Sequence, residues 1–256
     1  MNSNSSIALT NQWNDFLLRK FDTYALTKYD ILLRALGDVT GYTTLVAGSG
    51  SGEFAVMLAK AGAKVLAIDI DKPSIDLTRQ TAQDAGVSIE TEVATIESQG
   101  SSMLFDLVAA TDVLEHIEDD QFAASKLVSL LKPGGKIAIT VPAMPSLFGY
   151  HDEILGHFRR YKPAQFRKLF SEKISIETFR YYGFTLIAPA LLISKWLRRP
   201  YPVSAVSDSS EKTKLFAKVV RAVLSIEKVI SPPVGISLIM VGSLTRNLVS
   251  KEASHL

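Results

Sequence analysis

The sequence predicts an α/β fold, a doubly wound parallel sheet with helices on both faces. Three observations carry this. Short apolar runs alternate with helical segments from Thr43 to Val141. A strand-to-helix turn, Thr44-Leu-Val-Ala-Gly-Ser-Gly-Ser-Gly-Glu-Phe54, sets three glycines at alternate positions. An acid, Asp69, closes the following strand 21 residues after Gly48. Strands that alternate with helices pair in parallel through crossovers, and those crossovers are right-handed.

The elements follow in order. Residues 11–36 read as helix, because Trp13, Phe16, Leu17, Phe21, Tyr24, Ile31, Leu32 and Leu36 recur mostly at three- and four-residue steps. Gly37 and Gly41 end it. Thr43–Ala47 reads as a strand, then the glycine loop, then a helix to about Ala61. Strands follow over 64–70, 88–93, 104–110 and 136–141, with helices over 73–85 and 119–131 between them. Beyond Pro142 the alternation stops. Residues 142–162 read as a polar, aromatic loop, 163–170 as a helix and 174–182 as a strand. Residues 235–242 read as a last buried strand. The expected organisation is an N-terminal helical cap over 1–42, a core over 43–183, a helical insertion or lid over 184–232, and a final strand with a tail over 233–256.

Composition limits the chemistry. With 256 residues and 47% apolar residues, one large core is within reach. The absence of cysteine excludes disulfides, thiolate metal sites and a cysteine nucleophile. The polar start Met-Asn-Ser-Asn-Ser-Ser gives no secretory signal, and no apolar run reaches the roughly 18 residues of a spanning helix. A cytoplasmic location follows as an expectation, with peripheral membrane contact as an addition. The net charge of +2 conceals two halves. Residues 1–150 carry 11 Lys and Arg against 18 Asp and Glu, whereas 151–256 carry 17 against 8. The basic half suits an anionic substrate, a membrane surface or nucleic acid; solvated helix faces explain it equally well.

The glycine loop calls for a ligand that approaches the backbone closely, and the acid at the next strand end suits a ribose. The dinucleotide pattern Gly-x-Gly-x-x-Gly fails, because its sixth position is Glu53; the phosphate-loop Gly-Lys-Ser/Thr is absent too. Gly48-x-Gly50-x-Gly52 instead resembles the first motif of the class I S-adenosylmethionine-dependent methyltransferases. Phe105-Asp-Leu-Val-Ala-Ala-Thr-Asp-Val-Leu-Glu-His116 looks like that superfamily's fourth strand and turn. Leu131-Lys-Pro-Gly-Gly-Lys-Ile-Ala-Ile-Thr-Val-Pro142 looks like its fifth-strand segment. The resemblance runs from about Leu45 to Val141. It implies a Rossmann-like doubly wound seven-stranded sheet whose last strand is antiparallel. S-adenosyl-L-methionine is the cofactor that it implies.

The same resemblance implies residue roles. Ala47, Gly48, Ser49, Gly50 and Gly52 would contact the methionine part, and Asp69 the ribose. Ala94, Thr95 and Ile96 would flank the adenine, and Ile70 would cover its face or else pack in the core. Thr111 and Asp112 would lie near the sulfonium. Two departures stand out: Val46 and Thr95 occupy positions where the family usually has acids. They leave open a non-catalytic binding or scaffolding protein on the same fold.

Candidate bases should follow strands four and five, which points to His116, His151 and His157. The run Tyr150-His-Asp-Glu-Ile-Leu-Gly-His-Phe-Arg-Arg-Tyr161 supplies candidate acceptor contacts from Tyr150, His151, His157, Arg159, Arg160 and Tyr161. The arginines could clamp an anion or pair with Asp152 or Glu153. No metal site is expected, since His151, Asp152 and His157 lack a recognised ligand spacing. No nucleic-acid partner is expected either: Thr111-Asp-Val-Leu stands where a base-flipping enzyme would carry Asn/Asp-Pro-Pro-Tyr/Phe. The insertion pairs an apolar run ending in Trp196-Leu-Arg-Arg199 with an amphipathic basic stretch over 211–231. It suits a lid helix or a contact with an anionic membrane, and a small-molecule or lipid-linked acceptor.

Overall fold

The structure is a computed structural model. It describes residues 23–100, 103–170, 172–199 and 222–245. The first half of the helix expected over 11–36, most of the stretch 211–231 and the tail beyond 245 lie outside the described residues.

Seven strands form one sheet: β1 Thr43–Ala47, β2 Lys64–Asp69, β3 Glu90–Val93, β4 Phe105–Thr111, β5 Leu131–Pro142, β6 Ile174–Tyr182 and β7 Ser237–Leu244. Their order is β3-β2-β1-β4-β5-β7-β6. The first five pair in parallel, and β7 lies antiparallel between β5 and β6. The expected seven-stranded sheet with its antiparallel last strand is therefore present. β5 begins earlier than its apolar run suggests. Leu131 pairs with Phe105 ahead of the Lys-Pro-Gly-Gly turn, and the register shifts between Phe105 and Leu107 to absorb that turn.

Alternation along each strand feeds two cores. Leu45, Ala47, Val108, Ala110, Ile137 and Ile139 face one side, where helix α4 (Asp120–Ser129) contributes Ala123, Ala124 and Leu127. Val46, Leu107, Ala109 and Ala138 face the other, against helix α1 (Thr23–Leu36) and helix α2 (Glu53–Lys60). Helix α3 (Lys72–Asp84) starts on the Asp71 side chain, which accepts from Ser74 N at 3.0 Å. Val46 is buried among Phe54 and Leu58, so the position where the resemblance implies an acid serves core packing.

At the amino edge of the sheet, Asp106 binds three starting points together. It accepts from Thr43 N at 2.9 Å, Thr43 Oγ1 at 2.7 Å and Lys132 Nζ at 2.8 Å. Burial alone would raise its carboxyl, but the Lys132 and Thr43 hydrogen bonds outweigh that and hold it at about 2. A depressed carboxylate stabilises the fold above its ordinary titration range, and that contribution is lost as pH falls toward 2. Asp106→Asn is therefore expected to lose about 1 kcal/mol at pH 6, after allowance for solvent screening. Urea denaturation across pH should show the gap to the wild type closing between roughly pH 4 and pH 2.

The strand registers put Ala47, Asp69, Val93, Thr111, Pro142 and Tyr182 at one carboxyl edge, with Ser237 opposite both Pro142 and Tyr182. The insertion thus leaves after Tyr182 and returns before Ser237 at the edge where ligands of open α/β sheets bind.

Candidate functional site

The glycine loop is packed as tightly as its composition suggests. Gly48 and Gly52 have φ of 67° and 86°, in the left-handed region that disfavours side chains. A Cβ on Gly48 would lie 2.5 Å from Val113 Cγ2, and one on Gly52 2.8 Å from Thr78 Cα. Ser49 N donates to Ile68 O at 3.0 Å, and Thr78 Oγ1 to Gly50 O at 3.1 Å.

Asp69 ties this loop to the next turn. One carboxylate oxygen accepts from Gly50 N at 2.9 Å and the other from Asp71 N at 3.1 Å. Burial pushes its carboxyl above the ordinary value despite those bonds. A carboxylate offers about four acceptor positions, so two such bonds leave room for a pair of hydroxyls. Beside it Ile70 is 72% exposed, which removes the core role and presents an apolar face next to a polar clamp. Ala94 is half-buried and its N donates to Asp69 O at 2.9 Å; Ile96 is buried. Thr95 is exposed, and its hydroxyl accepts from Ser98 N at 3.1 Å. A close-approach loop, a half-occupied carboxylate and an exposed apolar side chain together suit a ribonucleoside that carries an amino-acid arm.

Thr111 is buried at the end of β4, and Asp112 follows with φ 55°, which aspartate tolerates better than most residues. Asp112 accepts from Thr140 Oγ1 at 2.9 Å and from Lys28 Nζ. Lys28 is a buried cation on α1, with its Nζ 5.4 Å and 5.9 Å from the ring centres of Tyr24 and Tyr29. Sequence reasoning missed it. A signal existed: Lys28 lies on the stripe Ala25, Tyr29, Leu32, Leu36 that buries the helix. A lysine on a core-facing stripe calls for a buried partner.

The segment after β5 is not an open loop. A 3₁₀ turn at Pro145–Leu147 leads into helix α5 (Tyr150–Leu155). Gly149 N donates to Asp152 Oδ2 at 3.0 Å at one end, and Gly156 takes a left-handed conformation at the other. Asp152, fully buried, is the hub. Its Oδ1 lies 2.9 Å from His157 Nδ1 and 2.8 Å from Arg160 Nε. Burial alone would raise the Asp152 carboxyl, but His157 and Arg160 outweigh it and hold it below the ordinary range. The Asp152 carboxylate holds the Nδ1 edge of His157 and leaves Nε2 as the ring's other nitrogen. The His157 ring meets the His116 ring edge-on at 4.6 Å between centres. Phe158 N donates to Glu115 O at 2.7 Å, which fastens the two segments.

The arginines do not assemble the expected anion clamp. Arg160 is buried, spent on Asp152 and on Ala143 O at 3.3 Å. Arg159 reaches Asp120 Oδ2 at 2.9 Å and Glu118 O at 2.6 Å. Tyr161 is fully buried and its hydroxyl donates to Asp120 at 2.9 Å; burial and that carboxylate push its phenol far above the ordinary value. These three side chains brace the segment. His151 N donates to Ser194 Oγ at 2.9 Å, and Tyr150 lies 5.5 Å below the Arg198 guanidinium, so both pack on the insertion. Of the expected histidines, His116 and His157 come together, while the backbone of His151 is tied to Ser194.

A sequence profile of the methyltransferase domain matches residues 45–139. A ubiquinone biosynthesis O-methyltransferase of Methylocella silvestris is 40% identical over 96 residues, 37% of this chain and 38% of that protein. One of Xanthomonas axonopodis pv. citri is 30% identical over 145 residues, 55% of this chain and 61% of that protein. The chain therefore matches less than two thirds of either relative. Among solved structures, an N-methyltransferase of Bradyrhizobium japonicum in complex with S-adenosyl-l-homocysteine aligns with a TM-score of 0.57. It is 16% identical and covers 86% of this chain and 87% of that one. A magnesium protoporphyrin IX methyltransferase of Synechocystis with bound S-adenosylmethionine aligns at 0.54 with 20% identity, over 70% and 89%. At such identities these two share the fold alone. Residues 45–139 match a methyltransferase domain, and fold, ordered motifs and relatives together support the class I S-adenosylmethionine-dependent methyltransferase superfamily.

Proposed function

We propose that this protein transfers a methyl group from S-adenosylmethionine to a small acceptor presented at a lipid surface. The observation that carries the reading is the continuity of the carboxyl edge. Val113 packs on Gly48 of the clamp, and three residues later His116 meets His157. The cofactor supplies its methyl on a sulfonium, already a good leaving group. The protein must align the acceptor, keep water from the methyl carbon and let the acceptor's proton leave.

In this reading the loop 48–52, with Ala47, holds the amino-acid arm, and Asp69 the ribose. Ile70 and Ala94–Ile96 border the base. Thr111 and Asp112 border the sulfonium. The cluster around His116 and His157 faces the acceptor, beside residues 184–199 and 222–232. The lipid-linked part rests on apolar side chains that the insertion leaves exposed: Phe184, Leu192, Trp196 at 78%, Val229 at 79% and Ile230, beside Lys195, Arg198 and Arg199. Phe184 N reaches Glu227 Oε2 at 3.3 Å, which puts both stretches on one surface. Basic and aromatic residues together suit an anionic interface. No helix among the described residues is long and apolar enough to cross a membrane.

The test is calorimetry with S-adenosylhomocysteine, followed by transfer of labelled methyl in a cell extract with membranes. One-to-one binding is expected, with label entering the organic-solvent extract. Binding without any transfer would favour the non-catalytic alternative that Val46 and Thr95 suggest. Label confined to the aqueous phase would keep the enzyme and remove the lipid-linked acceptor.

A further inference from the structure

We propose that Glu115, His116 and His157 bind one divalent transition-metal ion of the manganese-to-zinc range beside the methyl-transfer cleft. The ion's role rests on the methyltransferase reading; its binding does not. A carboxylate oxygen from Glu115 and one ring nitrogen from each histidine lie within 4.8 Å of one another. Metal bonds of about 2.0–2.2 Å hold neighbouring ligands roughly 3–3.5 Å apart, so side-chain shifts of about an ångström close the set. Two imidazoles and one carboxylate suit borderline ions rather than magnesium or calcium, and three protein ligands leave positions open.

The surroundings are built for ligation. Glu115 is 1% exposed, and the half-buried His116 follows it on the 3₁₀ turn Leu114–His116 that leaves β4. His157 comes from another segment, 41 residues on, and two contacts fix it there. Its Nδ1 is held at 2.9 Å by Asp152, itself locked by Arg160 and Gly149 N. The backbone of Phe158 is fastened to Glu115 O. A buried carboxylate on Nδ1 orients the ring and leaves Nε2 as the donor, the usual support for a metal-bound histidine. Asp152 is thus a positioning residue.

The open positions would take acceptor oxygens, which favours an acceptor with two adjacent oxygens that chelate. A hydroxyl on the ion loses its proton to water more readily. That oxygen then forms a bond to the methyl carbon while the carbon–sulfur bond breaks, its electron pair passing to sulfur. S-adenosylhomocysteine and the methyl ether are the products.

The experiment uses full-length, untagged protein stripped with a chelator, titrated separately with MnCl2, ZnCl2 and S-adenosylhomocysteine. One Mn2+ or Zn2+ per chain is expected. His157→Gln and Glu115→Gln should weaken it by roughly 100-fold or more, and Asp152→Asn by about 10–100-fold. In the wild type, Mn2+ should broaden the imidazole signals of two of the four histidines; this reading needs no variant to fold. The proposal falls if the folded, stripped chain binds neither ion, as when Glu115 merely pairs with a protonated histidine. It falls equally if bound Mn2+ broadens neither His116 nor His157. Either result beside normal S-adenosylhomocysteine binding would spare the methyltransferase reading. Metal binding without S-adenosylhomocysteine binding would do the reverse.

Discussion

Lys28→Met is expected to destabilise the protein by about 3 kcal/mol, read as a lower midpoint in urea with an unchanged slope. Lys28 is 3% exposed at its side chain and Asp112 18%. Removing the ammonium leaves the Asp112 carboxylate in a poorly solvated place, still accepting from Thr140 Oγ1 at 2.9 Å. The loss should exceed that of exposed pairs such as Arg34–Asp30 or Lys72–Asp76, where water replaces the partner. The double variant Lys28→Met with Asp112→Asn should recover most of the loss, because no charge is then stranded. Equal destabilisation in the double and single variants would mean that Lys28 acts through packing on Tyr24 and Tyr29 instead.

Asp69→Ala should weaken S-adenosylhomocysteine binding by about 100-fold or more in calorimetry. Two backbone donors, Gly50 N and Asp71 N, end on this carboxylate. Hydrogen bonds to a charged group contribute about 1.5–3 kcal/mol each, and 2.7 kcal/mol is a hundredfold. The same substitution removes the acceptor for the ribose hydroxyls in the proposed pose. Asp69→Asn keeps one acceptor oxygen and should lose less, about tenfold. The pH dependence has a definite sign. Burial raises the Asp69 carboxyl, so its charge is lost at a higher pH than usual. Affinity should fall as pH is lowered from neutral into that range, and Asp69→Asn should be flat there. Folding stability responds oppositely at this residue, since protonation relieves the cost of a buried charge. Stability and affinity that fell together would place the titrating group elsewhere.

Much of the fold was legible because its signals are local. The runs 43–47 and 174–182 announce strands by apolar and β-branched content, and the structure places strands over those same residues. The glycine loop and Asp69 were legible for a related reason: a tight turn and a strand-end acid are short-range features of the chain. The twelve-residue segment 150–161 was legible as unusual but not as architecture. Its helix depends on Asp152 capping Gly149, and its arginines on Asp120 and Asp152, two carboxylates on different elements. Arg159 and Arg160 read the same in one dimension, whether they bind a ligand or brace the chain.

The sequence by itself determined the alternation of strands and helices and the tight glycine loop, because periodicity and turn chemistry act over a few residues. Only the tertiary structure decided which charges meet. Lys28 finds Asp112 across 84 residues, and His157 finds His116 across 41, because parallel crossovers bring distant segments to one carboxyl edge. Which side chains meet there is set by the closure of the sheet and the burial that follows from it, and no local pattern encodes that.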